Sequence, residues 1–215
     1  MITIVAFNNV PPFARGLVRD LRPRWALEEA GIPYEVRLIG REDQSSAAYR
    51  MLQPFGQVPV LQDGELTLFE SGAILMHIAA KSDKLLPRDP IARERAGAWV
   101  FAALNSVEPW LQQFAGLDAF HAGEEWARLR RPSLETQVRT RLGDLSVALG
   151  DKDYLEGGFT AGDLMMATVL RLLRHTDIVA EYANLRAYLD RCEARPAFHR
   201  ALRAQLEVFE QHAAA

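Results

Sequence analysis

Glu70 and Ser71 stand side by side where an apolar run gives way to a helical pattern, in Phe69-Glu70-Ser71-Gly72-Ala73-Ile74. Serine is a favoured residue at a helix start, and the free N–H groups there attract a carboxylate. A glutamate just before it can hold an ammonium. An α-carboxylate on Ser71 and an α-amino group on Glu70 would together hold the head of an amino acid. Earlier in the same segment, Val58-Pro59 opens an apolar run. Proline lacks an N–H donor and is normally kept out of central strands. A cis Val58-Pro59 bond would account for its presence and leave the N–H and C=O of Val58 pointing outward, open to an extended, peptide-like ligand. A trans proline that opens the strand, and a serine that only caps its own helix, are the alternatives that spacing leaves open.

Such groups need elements to hold them, and β signals occur only in the first third of the chain. Thr3–Phe7 and Tyr34–Ile39 read as strands, the second after a Gly31-Ile32-Pro33 breaker. Val58–Leu61 and Leu66–Phe69 flank Gln62-Asp63-Gly64-Glu65, an Asp-Gly hairpin signal. Arg15–Ala30 reads as a helix stopped by Gly31, with Pro23 set to kink, restart or delay it. Gly72–Ala80 reads as another helix. From about Ile91 onward the pattern is helical only, over Ala92–Phe114, Glu124–Leu149, Gly162–Arg174, Ala183–Glu193 and Ala197–His212, with Pro132 disturbing the second. The expected division is residues 1–81, a proline-bearing linker 82–90, and an all-helical region 91–215. Thr160 and Asp163 have the spacing of a capping box, with Phe159 and Leu164 placed as a hydrophobic staple, a structural device.

Composition narrows the chemistry. The 215 residues are 49% hydrophobic with a net charge of −3 and a single cysteine, Cys192. One cysteine forms no internal disulfide, no CxxC redox pair and no thiolate zinc site. The five histidines make no HxxxH or HExxH pair, so no metal is expected. Mild acidity argues against a nucleic-acid partner. No apolar run reaches the length of a membrane span and no signal peptide is recognisable, so the expected compartment is the cytoplasm.

Taken together, the β-α-β start, VPVL, the hairpin, FES and the helix that follows, placed before an all-α region, closely resemble the glutathione transferase superfamily. The resemblance runs over essentially the whole chain, and Arg24–Tyr34 (RWALEEAGIPY) is typical of bacterial members. It implies an α+β fold: a thioredoxin-like β-α-β-α-β-β-α domain followed by a helical bundle. It also implies that Val58, beside a cis Pro59, pairs with the cysteinyl part of glutathione, that Glu70 and Ser71 bind the γ-glutamyl head, and that Gln57 lies toward the glycyl end.

Family members usually carry Tyr, Ser or Cys after the first strand to hold or replace the thiolate. Here Phe7-Asn8-Asn9-Val10-Pro11-Pro12-Phe13-Ala14-Arg15 holds no Tyr, Ser, Thr or Cys. The remaining donors are amides and a guanidinium, so Asn9 first and Arg15 second are the candidate catalytic groups. A turn role for Asn9 and a solvated position for Arg15 are their alternatives. Phe13, Asn105 and Trp110 are candidate residues for the acceptor substrate, with Phe101 and Phe114 at related helical spacings. The expectation is a glutathione transferase-like enzyme, a homodimer using glutathione as cosubstrate on a small hydrophobic electrophile. A glutathione-binding or interaction module without turnover is the alternative.

Overall fold

The computed structural model describes Met1–Ala213, Ala213 by its backbone alone. Four strands, β1 (Ile2–Phe7), β2 (Tyr34–Ile39), β3 (Val60–Asp63) and β4 (Leu66–Leu68), form one mixed sheet in the order β2-β1-β3-β4. β1 and β2 are parallel, with Ile2 opposite Tyr34 and Phe7 opposite Ile39. β3 runs antiparallel to β1 (Val5 opposite Val60) and to β4 (Leu61 opposite Leu68). This is the thioredoxin-like arrangement that the family resemblance implies. The hairpin turn is Gly64-Glu65, with Gly64 at φ +62°, so the strand keeps Gln62 and Asp63 that the sequence assigned to the turn.

Helix α1 covers Leu21–Ala30, not Arg15–Ala30. Pro23 delays the start: within the first turn its missing N–H costs nothing, because those N–H groups have no intrahelical acceptor. The preceding chain makes only a short 3-10 turn at Pro12–Ala14. Gly31 ends α1 at φ +72°, and both Gly31 and Ile32 donate their N–H to the Leu27 carbonyl. Two short helices, α2 (Arg41–Ser45) and α3 (Ala47–Arg50), lie between β2 and β3, and α4 covers Ser71–Ala79.

The remaining helices are α5 (Pro90–Ala102), α6 (Glu108–Phe120), α7 (Glu125–Leu149), α8 (Ala161–Leu170), α9 (Ala183–Glu193) and α10 (Pro196–Ala213). The single helix expected over Ala92–Phe114 is α5 and α6 joined by a π-helical segment, Ala103–Val107, with Pro109 in the first turn of α6. α7 runs through Pro132, where both Pro132 and the Arg128 carbonyl it deprives of a donor lie on an exposed stretch open to water.

Two compact units result. One joins Met1–Leu86 to the chain from Arg195 onward; the other is Pro87–Ala194. In the first, α1 packs against α4 on one side and α10 on the other. Trp25 meets Phe198 edge to face at 4.8 Å between ring centres, and Arg195 grips Glu29 with Nε and Nη2 at 2.6 and 2.9 Å. α10, which the sequence reading counted with the all-helical region, therefore completes the core behind the sheet domain. In the second unit, α8 is buried along its whole length. Gly162 permits this: a Cβ there would stand 2.6 Å from the Cβ of Trp99 on α5.

Candidate functional site

The sheet register gathers the candidate residues. β1 and β2 end together, β3 begins and β4 ends at that same edge, so Asn8, Gly40, Val58–Pro59 and Glu70–Ser71 leave the sheet side by side. The Asn8 N–H donates to the Ile39 carbonyl at 3.0 Å and ties the first loop to the end of β2.

The Val58-Pro59 bond is cis. The Val58 side chain packs with Val5, Ile39, Tyr49 and Val60, and Val58 itself stands outside the ladder that begins at Val60. None of the described hydrogen bonds takes its N–H or C=O. The loop before it is braced. Tyr49 Oη donates to the Gln57 carbonyl at 2.6 Å, Arg50 Nη1 to the Pro54 carbonyl at 2.9 Å, and the Phe55 N–H to Gln53 Oε1 at 2.6 Å. Burial pushes the Tyr49 phenol up to about 12, so it remains a donor throughout the neutral range. Gln57 has an exposed side chain. Gly56 adopts φ +63°, a conformation that side chains rarely adopt, with the Arg50 guanidinium packed over it.

Glu70, not Ser71, is the residue that caps α4, which corrects the expected cap. Glu70 is the one non-glycine residue at positive φ among those described (φ 68°). Backbone held in such a region costs roughly 1–3 kcal/mol and clusters at functional sites. Its carboxylate is exposed and takes no described hydrogen bond or ion pair. Ser71 opens the helix and is buried, its Oγ accepting from Arg22 Nη1 of α1 at 3.0 Å. With that lone pair engaged, the hydroxyl proton is available to an incoming acceptor. The first intrahelical donor is the Ile74 N–H, to the Glu70 carbonyl at 2.9 Å, so the N–H groups of Ser71, Gly72 and Ala73 precede the ladder. Arg22 was missed in the sequence because its partner is 49 residues away.

Asn9 and Arg15 line one open cleft of about 450 Å³ with Asn8, Val10, Pro11, Pro12 and Arg41. Asn9 Oδ1 accepts the Val10 N–H at 2.9 Å, the turn role weighed for it, which leaves Nδ2 as a donor. Phe13 lies exposed in the 3-10 turn between them. Arg41 was also missed; it stands two residues past the end of β2, whose pairing with β1 brings it near the loop that follows β1. Asn105 and Trp110 belong to the other unit, in the π-helical segment and α6. Phe114 is fully buried beneath the Arg131 guanidinium and is a core residue, while Phe101 is exposed. Cys192 is buried in α9.

No group of His, Cys, Asp and Glu among the described residues is arranged to hold a metal ion, and no described helix is long and apolar enough to cross a membrane. Thr160 and Asp163 form the expected capping box. Asp163 Oδ2 accepts the Thr160 N–H at 2.8 Å, and Oδ1 accepts the Leu155 N–H at 2.9 Å.

Residues 14–80 match the family model described as "Glutathione S-transferase, N-terminal domain". That span contains Arg15, Gln57, Val58, Pro59, Glu70 and Ser71, and begins after Asn9 and Phe13. Among curated proteins, glutathione S-transferase F14 of Arabidopsis thaliana is 27% identical over 81% of this chain and 75% of its own. Glutathione S-transferase 4 of Zea mays is 52% identical over a shorter stretch, 26% of each chain. Among solved structures, a glutathione transferase from Burkholderia graminis, determined with two glutathione molecules per subunit, superposes with a TM-score of 0.81 at 25% identity, over 94% of this chain and 87% of that one.

Proposed function

From the premise that the chain belongs to the glutathione S-transferase superfamily, we propose that it binds glutathione along the edge where the strands end and transfers it to a small electrophile. The observation that carries this reading is Glu70, held in a costly backbone conformation with an unclaimed carboxylate beside the start of α4. There Glu70 takes the α-ammonium of the γ-glutamyl group, and Ser71 with the first N–H groups of α4 takes its α-carboxylate. Val58 pairs through N–H and C=O with the cysteinyl residue, and Gln57 lies toward the glycyl end.

The thiol must then lose its proton to solvent, since only the thiolate attacks and a free thiol titrates near ~8.5. Asn9 Nδ2 donates a hydrogen bond to the sulfur, and Arg15 adds positive charge on the wall of the same cleft. The sulfur lone pair forms the new bond to the electrophilic carbon, and the leaving group departs with its electron pair. Phe13, Asn105 and Trp110 remain the residues proposed for the acceptor. The proposed setting is a cytoplasmic homodimer.

The test is a titration with glutathione across pH, following thiolate absorbance in the ultraviolet. Saturable binding with a thiolate pKa below that of free glutathione is expected, with the depression lost in Asn9→Ala and affinity at least tenfold weaker in Ser71→Ala. Binding without a depressed pKa in the wild type would favour the module without turnover, the reading that a first loop lacking hydroxyl and thiol supports. No binding at millimolar glutathione would sink both.

A further inference from the structure

The cleft beside Asn9 carries a cation that the proposed chemistry does not use. Arg41 lines it together with Arg15, Asn8, Asn9, Val10 and the two prolines, and no carboxylate takes part in the lining. Among the described residues the Arg41 guanidinium enters no ion pair or hydrogen bond. Its acidic neighbour Asp43 is engaged elsewhere, with Oδ2 accepting the Gly40 N–H at 2.8 Å. Other arginines among the described residues are treated differently: Arg24, Arg131, Arg139, Arg171, Arg195 and Arg200 all have a carboxylate partner.

Position gives this cation a direction. In the order β2-β1-β3-β4, Val58 and Glu70–Ser71 flank the β3 and β4 side of β1, while Arg41 follows β2 on the other side. The loop Asn8–Arg15 lies between them. Glutathione held by Val58, Glu70 and Ser71 with its sulfur at Asn9 therefore leaves Arg41 on the far side of the sulfur, where the second substrate must approach. We infer that Arg41 selects electrophiles that carry a carboxylate. The inference rests on the glutathione reading above and names the substrate class for that site. A guanidinium presents a planar fork of donors that matches a carboxylate through two parallel hydrogen bonds, and a partnered bond of this kind is stronger than a neutral one. At an open cleft it weakens with added salt.

The matched probes are 4-chloro-3-nitrobenzoate and 4-chloro-3-nitrobenzamide, which differ in charge but not in leaving group. With either, the thiolate sulfur bonds to the ring carbon bearing chlorine, chloride leaves with the bonding pair, and the thiol proton goes to solvent. Each rate is referred to its own uncatalysed reaction. The wild type is expected to favour the benzoate by about tenfold at low salt, and Arg41→Gln to abolish that preference while leaving the benzamide within about twofold. The two glutathione conjugates, titrated calorimetrically, give the same comparison without turnover, so a protein that binds but does not transfer still answers. Tighter binding of the carboxylated conjugate, lost in Arg41→Gln, supports the inference. Equal weakening of both conjugates would assign Arg41 to glutathione itself and overturn it, as would no change in either. Failure of both conjugates and of glutathione to bind would overturn the glutathione reading as well, an outcome distinct from equal binding.

Discussion

At the start of α8, Thr160 and Asp163 commit their polar atoms to the chain itself, whereas at the start of α4 the carboxylate of Glu70 meets no described partner and Ser71 is held from one side only. Both helices begin with a hydroxyl and an acid. In α8 the acid sits three residues after the hydroxyl, reaches back to the Thr160 N–H and Oγ1, and also takes Leu155 N–H and Tyr188 Oη. Burial pushes the Asp163 carboxyl above its usual range, and the hydrogen bonds it accepts oppose that rise. In α4 the acid precedes the hydroxyl and takes the N-cap position at positive φ, where its exposed side chain accepts no hydrogen bond from its own helix. The same residue types make a structural lock in one order and leave an unclaimed carboxylate, proposed above to receive a ligand, in the other.

The largest break in this comparison is expected from Asp163→Ala. The Thr160 and Leu155 N–H groups and two hydroxyls lose an acceptor inside a fully buried helix start, and each orphaned donor costs about 1–3 kcal/mol. A loss of roughly 4 kcal/mol or more in urea unfolding is the expected outcome. A loss under about 1 kcal/mol would mean that water replaces the carboxylate and that the lock is not one.

Glu70→Gly sharpens the other half. Glycine lacks the Cβ that makes φ 68° costly, a relief partly offset by its greater loss of chain entropy, so unfolding free energy should stay level or rise by up to about 1 kcal/mol. Glutathione affinity should nonetheless fall at least tenfold, by titration of the folded variant. Stability and binding moving in opposite directions is the mark of a residue held for a ligand. A variant that is destabilised and still binds would assign Glu70 to the fold instead.

What could be read in the sequence follows from distance along the chain. The hairpin, the Gly31 stop, and the Thr160–Asp163 box each depend on residues a few positions apart; the stop and the box stand where their patterns placed them, and the hairpin forms with its turn narrowed to Gly64-Glu65. Val58, Glu70 and Ser71 were visible as a motif because short turns bring them together. Arg22 on Ser71 and Arg41 beside Asn9 were not, because helix packing and strand register place them and neither leaves a local periodicity. The amphipathic pattern of the last helix likewise announced a buried face without naming its partner, and that partner is α1 of the sheet domain. Gln205 of this helix reaches Asp20 Oδ1 at 2.6 Å, 185 residues away, beside the buried Asp20–Arg24 pair.

Tyr49→Phe probes the smallest effect, on the brace rather than the receptor. Removing the hydroxyl deletes one hydrogen bond to the Gln57 carbonyl and should cost about 1 kcal/mol of stability. If that bond sets the backbone ahead of Val58, glutathione affinity should fall a few-fold, with transfer reduced through KM more than through kcat. The pH dependence separates this residue from a general loss of packing. The folded phenol titrates at about 12 against an ordinary value of 10.0, so the folded protein keeps a proton that the unfolded chain releases. The stabilising contribution is therefore complete below pH 10 and is lost as pH rises from there toward 12. Urea midpoints of the wild type should fall across that window more steeply than those of Tyr49→Phe. The half-buried Tyr34 and buried Tyr188 phenols, also raised, remain in both proteins and leave a shared residual slope. Identical slopes would mean that the phenol is not held as the geometry has it, and an unchanged glutathione affinity would detach the loop brace from the receptor it precedes.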